Sequence, residues 1–221
     1  MGGVRQCVEE GDMKLKESEA SLGIKDRILL AVAAKDRIIE RQALVMRLAT
    51  QVVRETSVGR AVRMLVDATY KVVNCDRVSL FLLDGGELVC YAAPAGGDTG
   101  WRLPLGKGVA GTVAATGEVL NIPDAYTCRE GLFDKSFDFK TGYRTRSILC
   151  LPLKDHDGSV MGVLQAINKQ SDSGHSDTTT AGAQDAFDTI DEQMLQFLLA
   201  LTVQQLRTCD LISAREKAQE E

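Results

Sequence analysis

GKGVAGTVAATGEVLNIPDAY (Gly106 to Tyr126), then TGYRTRSILCLPL (Thr141 to Leu153), then VMGVLQAINK (Val160 to Lys169), give a glycine-flanked helix start, a polar loop and two strands ending in Asn-Lys. The stretch reads as one side of a small-ligand pocket. Val109 to Thr116 is a short helix closed by Gly117, since glycine readily takes the left-handed conformation past a helix end. Gly108-Val109-Ala110-Gly111 leaves backbone N–H groups uncovered by bulky side chains at the helix start, where the helix dipole favours an anion. The same glycines serve equally well if they only turn the chain. No residue set here is built for bond-breaking.

On the N-terminal side the apolar period is two. Arg77 to Leu83 is a strand, Asp84-Gly85-Gly86-Glu87 a hairpin turn, and Leu88 to Ala93 the returning antiparallel strand. Pro94 to Gly100 is a glycine-rich turn and Trp101 to Leu105 a short strand. Earlier still the period is helical. Ser57 to Val73 forms an amphipathic helix on Ala61, Leu65, Ala68 and Val72. From Met13 to Thr56 there is no proline and only Gly23. There Leu29, Val32, Asp36, Ile39, Ala43, Met46, Thr50 and Val53 alternate spacings of three and four, a coiled-coil seam with one acidic intruder. A helix that long, about 65 Å, exceeds what a compact domain needs and calls for a partner, most simply a second copy. The alternative is an amphipathic helix lying on its own domain.

On the C-terminal side Pro123 to Gly142 is a polar loop, and two strands flank the turn Asp155-His156-Asp157-Gly158. Ser171 to Asp185 is a small, polar surface loop, and a final helix carries the stripe Phe187, Ile190, Met194, Phe197 and Leu201. The chain stops on strongly helix-forming residues, as expected of a fragment whose helix continues into another domain. The expected divisions are an N-terminal helix over 1–55, a domain over 56–206 and a connecting helix over 207–221.

The totals exclude several classes of function. An apolar fraction of 44% and a charged fraction of 26% are those of a soluble globular protein. A net charge of -5 with dispersed basic residues argues against nucleic acid. The six cysteines lack CxxC spacing, as expected of reduced thiols in the cytoplasm, and no window has the 18 or so apolar residues of a spanning helix. Met1-Gly2 invites N-myristoylation, but Gln6 stands where Ser or Thr is wanted. With only His156, in a turn, and His175, in a loop, no metal site or positioned catalytic base is expected. Cys128, in the polar loop, is the one cysteine expected to be exposed and reactive.

Asn168-Lys169, a variable loop, then Phe187 with three residues before Asp191-Glu192 match the N-K…F-x-x-x-D-E signature of the GAF domains of cyclic nucleotide phosphodiesterases. Asn74 to Asp84, Gly108 to Gly111, Leu120 to Tyr126 and Thr141 to Arg146 agree, and Thr56 to Leu206 resembles that family. Overall the chain is most similar to the first GAF domain of kinetoplastid class B phosphodiesterases. The resemblance implies an α+β fold, a six-stranded antiparallel sheet flanked by helices, with long N- and C-terminal helices. It also implies a cyclic nucleotide held between the sheet and the polar loop as allosteric ligand, and no further cofactor.

By position, Ser79, Ala92 and Ala93 would face the base. Val109, Ala110 and Tyr126 would hold the cyclic phosphate, Thr141 and Thr145 would bond to base or phosphate, and Gln165 would reach the ribose. Lys169 and Asp191 would form a structural salt bridge outside the pocket. Ala92-Ala93 departs from the aromatic-acidic pair of some cyclic GMP-binding members. Guanine's N1–H and 2-amino donors are best met by a carboxylate, so cyclic AMP is favoured over cyclic GMP, with Asp134 and Asp138 the residues able to reverse this.

The expected function is a regulatory module, not itself an enzyme, that signals through its terminal helices to a catalytic domain outside this fragment. The alternative is a dimerisation module with an empty pocket. GAF-like reductases of free methionine sulfoxide use loop cysteines, of which only Cys128 is present. A bilin photoreceptor would need a cysteine and a histidine in the pocket.

Overall fold

This computed structural model describes residues 23–93, 97–170 and 186–220, the side chains of residues 30 and 210–220 excepted. The expectations for Met1-Gly2, for the helix before Gly23, for the turn at Pro94 and for the loop with His175 fall outside them. The chain divides into two compact units, Met1–Ala43 and Leu44–Glu221. In the first, α1 (Ile24–Val53) exposes the seam residues Leu29, Val32 and Ile39.

The second unit takes in α1 from Leu44 onward, because the last turns of that helix carry Val45, Ala49 and Val52 into the core. Helix α2 (Val58–Val73) buries Ala61, Val62, Leu65, Ala68, Val72 and Val73 on one face, and Asn74 ends it in the left-handed conformation at φ 44°. Six antiparallel strands follow: β1 (Cys75–Asp84), β2 (Glu87–Ala92), β3 (Arg102–Pro104), β4 (Leu120–Ile122), β5 (Ile148–Lys154) and β6 (Val160–Lys169), in spatial order β3-β2-β1-β6-β5-β4. Helix α3 (Gly108–Thr116) precedes β4 and is closed by Gly117 at φ 68°; α5 (Thr189–Glu220) ends the chain.

Two elements go beyond the sequence expectation. β4 has three residues, too short for a period of two to show, and exists because Leu120, Asn121 and Ile122 pair with Cys150, Leu149 and Ile148. The loop from Pro123 to Gly142 contains the six-residue helix α4 (Ser136–Thr141).

Alternation along the strands builds two cores. Leu80, Leu149, Leu151, Leu153, Leu164 and Ala166 face α2 and α5, packing with Leu65, Leu195 and Leu198. Phe81, Cys90, Ile148, Cys150 and Val163 face the other way, onto Val109, Ala110 and Val113 of α3 and Ala125 beyond β4. Of the stripe expected on the final helix, Phe187 and Met194 are buried and Ile190 and Leu201 pack against the core, together with Leu195, Leu198, Leu199, Thr202 and Leu206; Phe197 alone turns outward, at 44% exposed. The seam residues Met46 and Val53 are 58% and 46% exposed in the single chain, while α1 turns Val45, Ala49 and Val52 into its own domain.

The end of β6 ties sheet to helix. Lys169 Nζ lies 3.0 Å from Asp191 Oδ1, with side chains 10% and 0% exposed. Asp191 Oδ2 also accepts the backbone N–H of Asp188, whose own Oδ1 accepts the N–H of Asp191, a reciprocal cap on the first turn of α5. An exposed ion pair stabilises by less than about 1 kcal/mol. Removing one partner of a buried pair strands the other and costs about 3 kcal/mol or more. Lys169→Met is therefore expected to lower stability by about 3 kcal/mol, a fall of roughly 9 °C in melting temperature, and Asp191→Leu added to it should recover only part, since the cap stays broken.

Close backbone approach fixes the start of α3. A Cβ on Gly111 would lie 2.5 Å from the carbonyl oxygen of Pro104, and the Gly111 carbonyl accepts the N–H of Gly106 at 2.8 Å. In urea unfolding, Gly111→Ala should cost about 2 kcal/mol through backbone displacement. Gly59→Ala, whose Cβ meets only the Arg63 side chain at 4.0 Å, should stabilise α2 by about 0.5 kcal/mol.

Candidate functional site

The face of the sheet turned away from α2 and α5 gathers most of the expected site residues. Register places Ser79 opposite Gln165 across β1 and β6, and Gln165 opposite Cys150 across β6 and β5. Ser79 is buried and Gln165 half-buried. Neither side chain makes a hydrogen bond to the described residues, so a serine hydroxyl and a glutamine amide stand side by side in an otherwise apolar surface. Phe81 and Val163 flank them one row along.

Over this face lie α3 and the connection from Pro123 to Ser147. Val109 and Ala110, in the first turn of α3, are buried in the same cluster against which Ala93, Tyr126, Leu132 and Phe133 pack. Seven of the expected site residues thus share one side of the sheet: Ser79, Gln165, Ala93, Val109, Ala110, Tyr126 and, joined to Tyr126 through Asp138, Thr145. Two do not. Ala92 pairs with Leu80 and packs against the helix-side core, because the register shift between Leu80 and Phe81 reverses its direction. Thr141 is exposed, its hydroxyl donating to the Phe137 carbonyl at 2.8 Å and accepting the N–H of Tyr143.

Asp138 organises the connection. It is 3% exposed. Its carboxylate accepts the backbone N–H of Thr145 at 2.7 Å, the Thr145 hydroxyl at 2.9 Å and the Tyr126 hydroxyl at 3.1 Å. Arg144 stacks its guanidinium 3.5 Å from the centre of the Tyr126 ring, with Lys135 Nζ at 4.9 Å. Burial, then the bond to Asp138, raises the phenol pKa. Asp134 accepts the N–H of Ser136, which lowers its pKa. Both carboxylates considered as partners for a base are thus engaged within the loop.

Asn168 holds the far end of the connection. At φ 56° it is one of two described residues other than glycine in the left-handed region. That turn aims its amide at the loop: Oδ1 accepts the N–H of Arg146 at 2.6 Å, while Nδ2 donates to the Arg144 carbonyl at 2.9 Å and to the Tyr143 hydroxyl at 2.8 Å. Tyr143 also donates to Asp76, and Arg77 stacks on its ring at 3.5 Å. The sequence signalled Asn168 through its motif. The partnerships of Asp138, Arg144 and Tyr143 depend on tertiary contacts that no local pattern encodes.

Cys128 is half-buried, its thiol donating to the Ala125 carbonyl, and burial raises its pKa. The exposed, reactive thiol expected there is not what the fold provides, since a nucleophilic cysteine needs its pKa lowered. Burial likewise pushes Cys75 up to about 12 and Cys150 well above the usual thiol range. Asp155, His156 and Asp157 cluster at the β5–β6 turn, but Asp155 is already bonded by His156 Nδ1 and Arg207, and Asp157 by the N–H of Ser159.

Among the described residues no helix is long and apolar enough to cross a membrane. A family profile described as GAF domain matches residues 57–206. The dual 3',5'-cyclic-AMP and -GMP phosphodiesterase 11A of Takifugu rubripes is 35% identical over 161 residues, which cover 66% of this chain and 16% of that protein. The corresponding phosphodiesterase 11 of Drosophila melanogaster is 32% identical over 151 residues, covering 60% of this chain and 10% of that protein. The chain therefore spans only a small part of the length of these relatives.

Among solved structures, the GAF domain of a phosphoenolpyruvate-protein phosphotransferase from Coxiella burnetii superposes with a TM-score of 0.64 at 18% identity, over 80% of this chain and 98% of that one. Free methionine-R-sulfoxide reductase from Neisseria meningitidis gives 0.60 at 20%, over 80% and 93%. At such identities these two share the fold alone. Match and architecture agree, and the chain belongs to the GAF domain family.

Proposed function

We propose that this chain is the regulatory, cyclic nucleotide-binding module of a multidomain phosphodiesterase in the cytoplasm, taking cyclic AMP in preference to cyclic GMP. The observation that carries the reading is the Ser79–Gln165 pair, two polar side chains without hydrogen bonds among the described residues, on the sheet face that α3 and Tyr126 cover. Both side chains keep their polar atoms accessible, and a polar pair without protein partners on an otherwise apolar face is what a polar ligand would bond to. Ser79 and Ala93 lie toward the base in this reading, Gln165 toward the ribose, and the Val109-Ala110 backbone toward the cyclic phosphate at the start of α3.

Likeness to dual cyclic AMP and cyclic GMP phosphodiesterases supports the ligand class. The preference for adenine rests on Ala92-Ala93, which put no carboxylate at the end of the second strand to meet guanine's N1–H and 2-amino group, and on Asp138, whose buried carboxylate already accepts from Thr145 and Tyr126. The narrower likeness to the first GAF domain of the kinetoplastid class B enzymes stands on the same motif residues.

Occupancy is read out through the terminal helices, paired with those of a second copy. An open apolar groove of about 220 Å³ lined by Met46, Ala49, Thr50, Val53, Arg54 and Leu201 lies on α1 and α5, and the second reading, a dimerisation module without ligand, would place a second copy there. The two readings separate on titration of the purified chain. Thr145→Ala should lower affinity for cyclic AMP while sedimentation shows an intact dimer; unchanged binding would remove Thr145 from the site, from which the exposed Thr141 already lies apart, and a wild type that binds no nucleotide would leave dimerisation alone. Asp36→Leu, at the one acidic seam position, should strengthen self-association in the same sedimentation experiment. An unchanged or weaker dimer would mean that another face of α1 is the pairing face.

A further inference from the structure

We infer that Asp138 sets the hydrogen-bond polarity of the loop over the site, so that Thr145 and Tyr126 offer a ligand acceptors and not donors. The holding role stands on geometry alone; the ligand role rests on the cyclic nucleotide reading above.

An ionised carboxylate accepts only, whereas a hydroxyl has one proton to give and lone pairs to offer. Asp138 takes the single proton of Thr145 Oγ1 and the single proton of the Tyr126 phenol, and the Thr145 amide fixes the carboxylate between them. Asp138 and Thr145 are each 3% exposed, so water is not on hand to replace these bonds. The backbone donors at these positions are also spent, since Tyr126 N–H donates to Asp124. Thr141, at the end of α4, obeys the same rule, its proton being given to Phe137.

What remains on these three residues is oxygen lone pairs. A cyclic phosphate, itself acceptor-only, gains nothing from them and is left to the other donors of the site. A ligand group facing these hydroxyls must bring its own proton, as an exocyclic amine or a ribose hydroxyl does. Asp138 thereby makes the hydroxyls of Thr145 and Tyr126 acceptors, and the donors of the site are the N–H groups at α3 and the cations of Arg144 and Lys135 beside the Tyr126 ring. It acts through Thr145 and Tyr126, as a positioning residue.

Two measurements on the full 221-residue chain test this. In the ligand-free protein, hydrogen exchange at the Thr145 amide should quicken by about tenfold in Asp138→Asn, as expected for weakening a buried bond to a charged acceptor, while the amides of β5 and β6 keep their protection. Tyr126→Phe, which removes one donor and no carboxylate, serves as the milder variant, with a smaller rise. Unchanged exchange in both variants overturns the holding role.

In calorimetric titration, cyclic AMP should bind wild type about tenfold more tightly than whichever is the weaker of two analogues, one lacking the 6-amino group and the other the 2'-hydroxyl. That ratio should collapse to near unity in Asp138→Asn, whose amide can donate and so frees the threonine proton to turn. An undiminished ratio in the variant overturns the polarity assignment. A wild type that binds no nucleotide overturns the site reading and the acceptor assignment together, and the exchange result still decides the holding role.

Discussion

The pairing of Lys169 with Asp191 is the constraint on which the rest of the domain depends. It joins the last residue of β6 to the first turn of α5, and the residue before it, Asn168, holds the end of the loop over the site. Two neighbouring residues on one strand thus face two structures that otherwise share no element. Asn168 reaches Tyr143, Arg144 and Arg146; Lys169 reaches the reciprocal cap formed by Asp188 and Asp191. A buried ion pair costs desolvation that its attraction barely offsets, so its value lies in fixing where α5 starts more than in net stability.

Under the proposed function, that joint is the physical route from site to helix. Closing or loosening the loop would shift the backbone at Arg144 and Arg146, whose partners are the Asn168 amide atoms. Asn168 occupies a left-handed conformation that few residues tolerate, so its peptide has little freedom to absorb the shift locally. The next group in line is Lys169. At the other end of the helical face, Gln205 and Cys209 of α5 both donate to the Glu55 carbonyl, at the bend between α1 and α2. A ligand moves this system only as far as it prefers one arrangement of the loop over the other.

Much of the architecture was legible because it is written in local period. The alternation in β1, β2, β5 and β6, the amphipathic α2 and the glycine after α3 each announce themselves within a few residues. β4 and α4 are too short to do so, and exist through pairing and loop packing. The helices were legible in part: Met46 and Val53 lie on an exposed stripe, as a seam for a second copy requires, while one apolar residue of the α5 stripe, Phe197, looks in sequence like core and is not. Only the fold shows that Val45, Ala49, Leu195 and Leu198 are the residues turned inward.

The site divides along the same line. Ser79, Gln165, Val109 and Ala110 lie on regular elements whose parity follows from the sequence, whereas Ala92 was inverted by a register shift that leaves no local trace. Asp138 looked like a group that a base might use, and its three donors come from both ends of the loop. The most direct test of the account is hydrogen exchange of the chain with and without cyclic AMP, in wild type and in Lys169→Met. In wild type, ligand should slow exchange both in residues 138–146 and in the first turns of α5. In the variant the slowing should stay in the loop. Protection confined to the loop in wild type would contradict transmission through this joint.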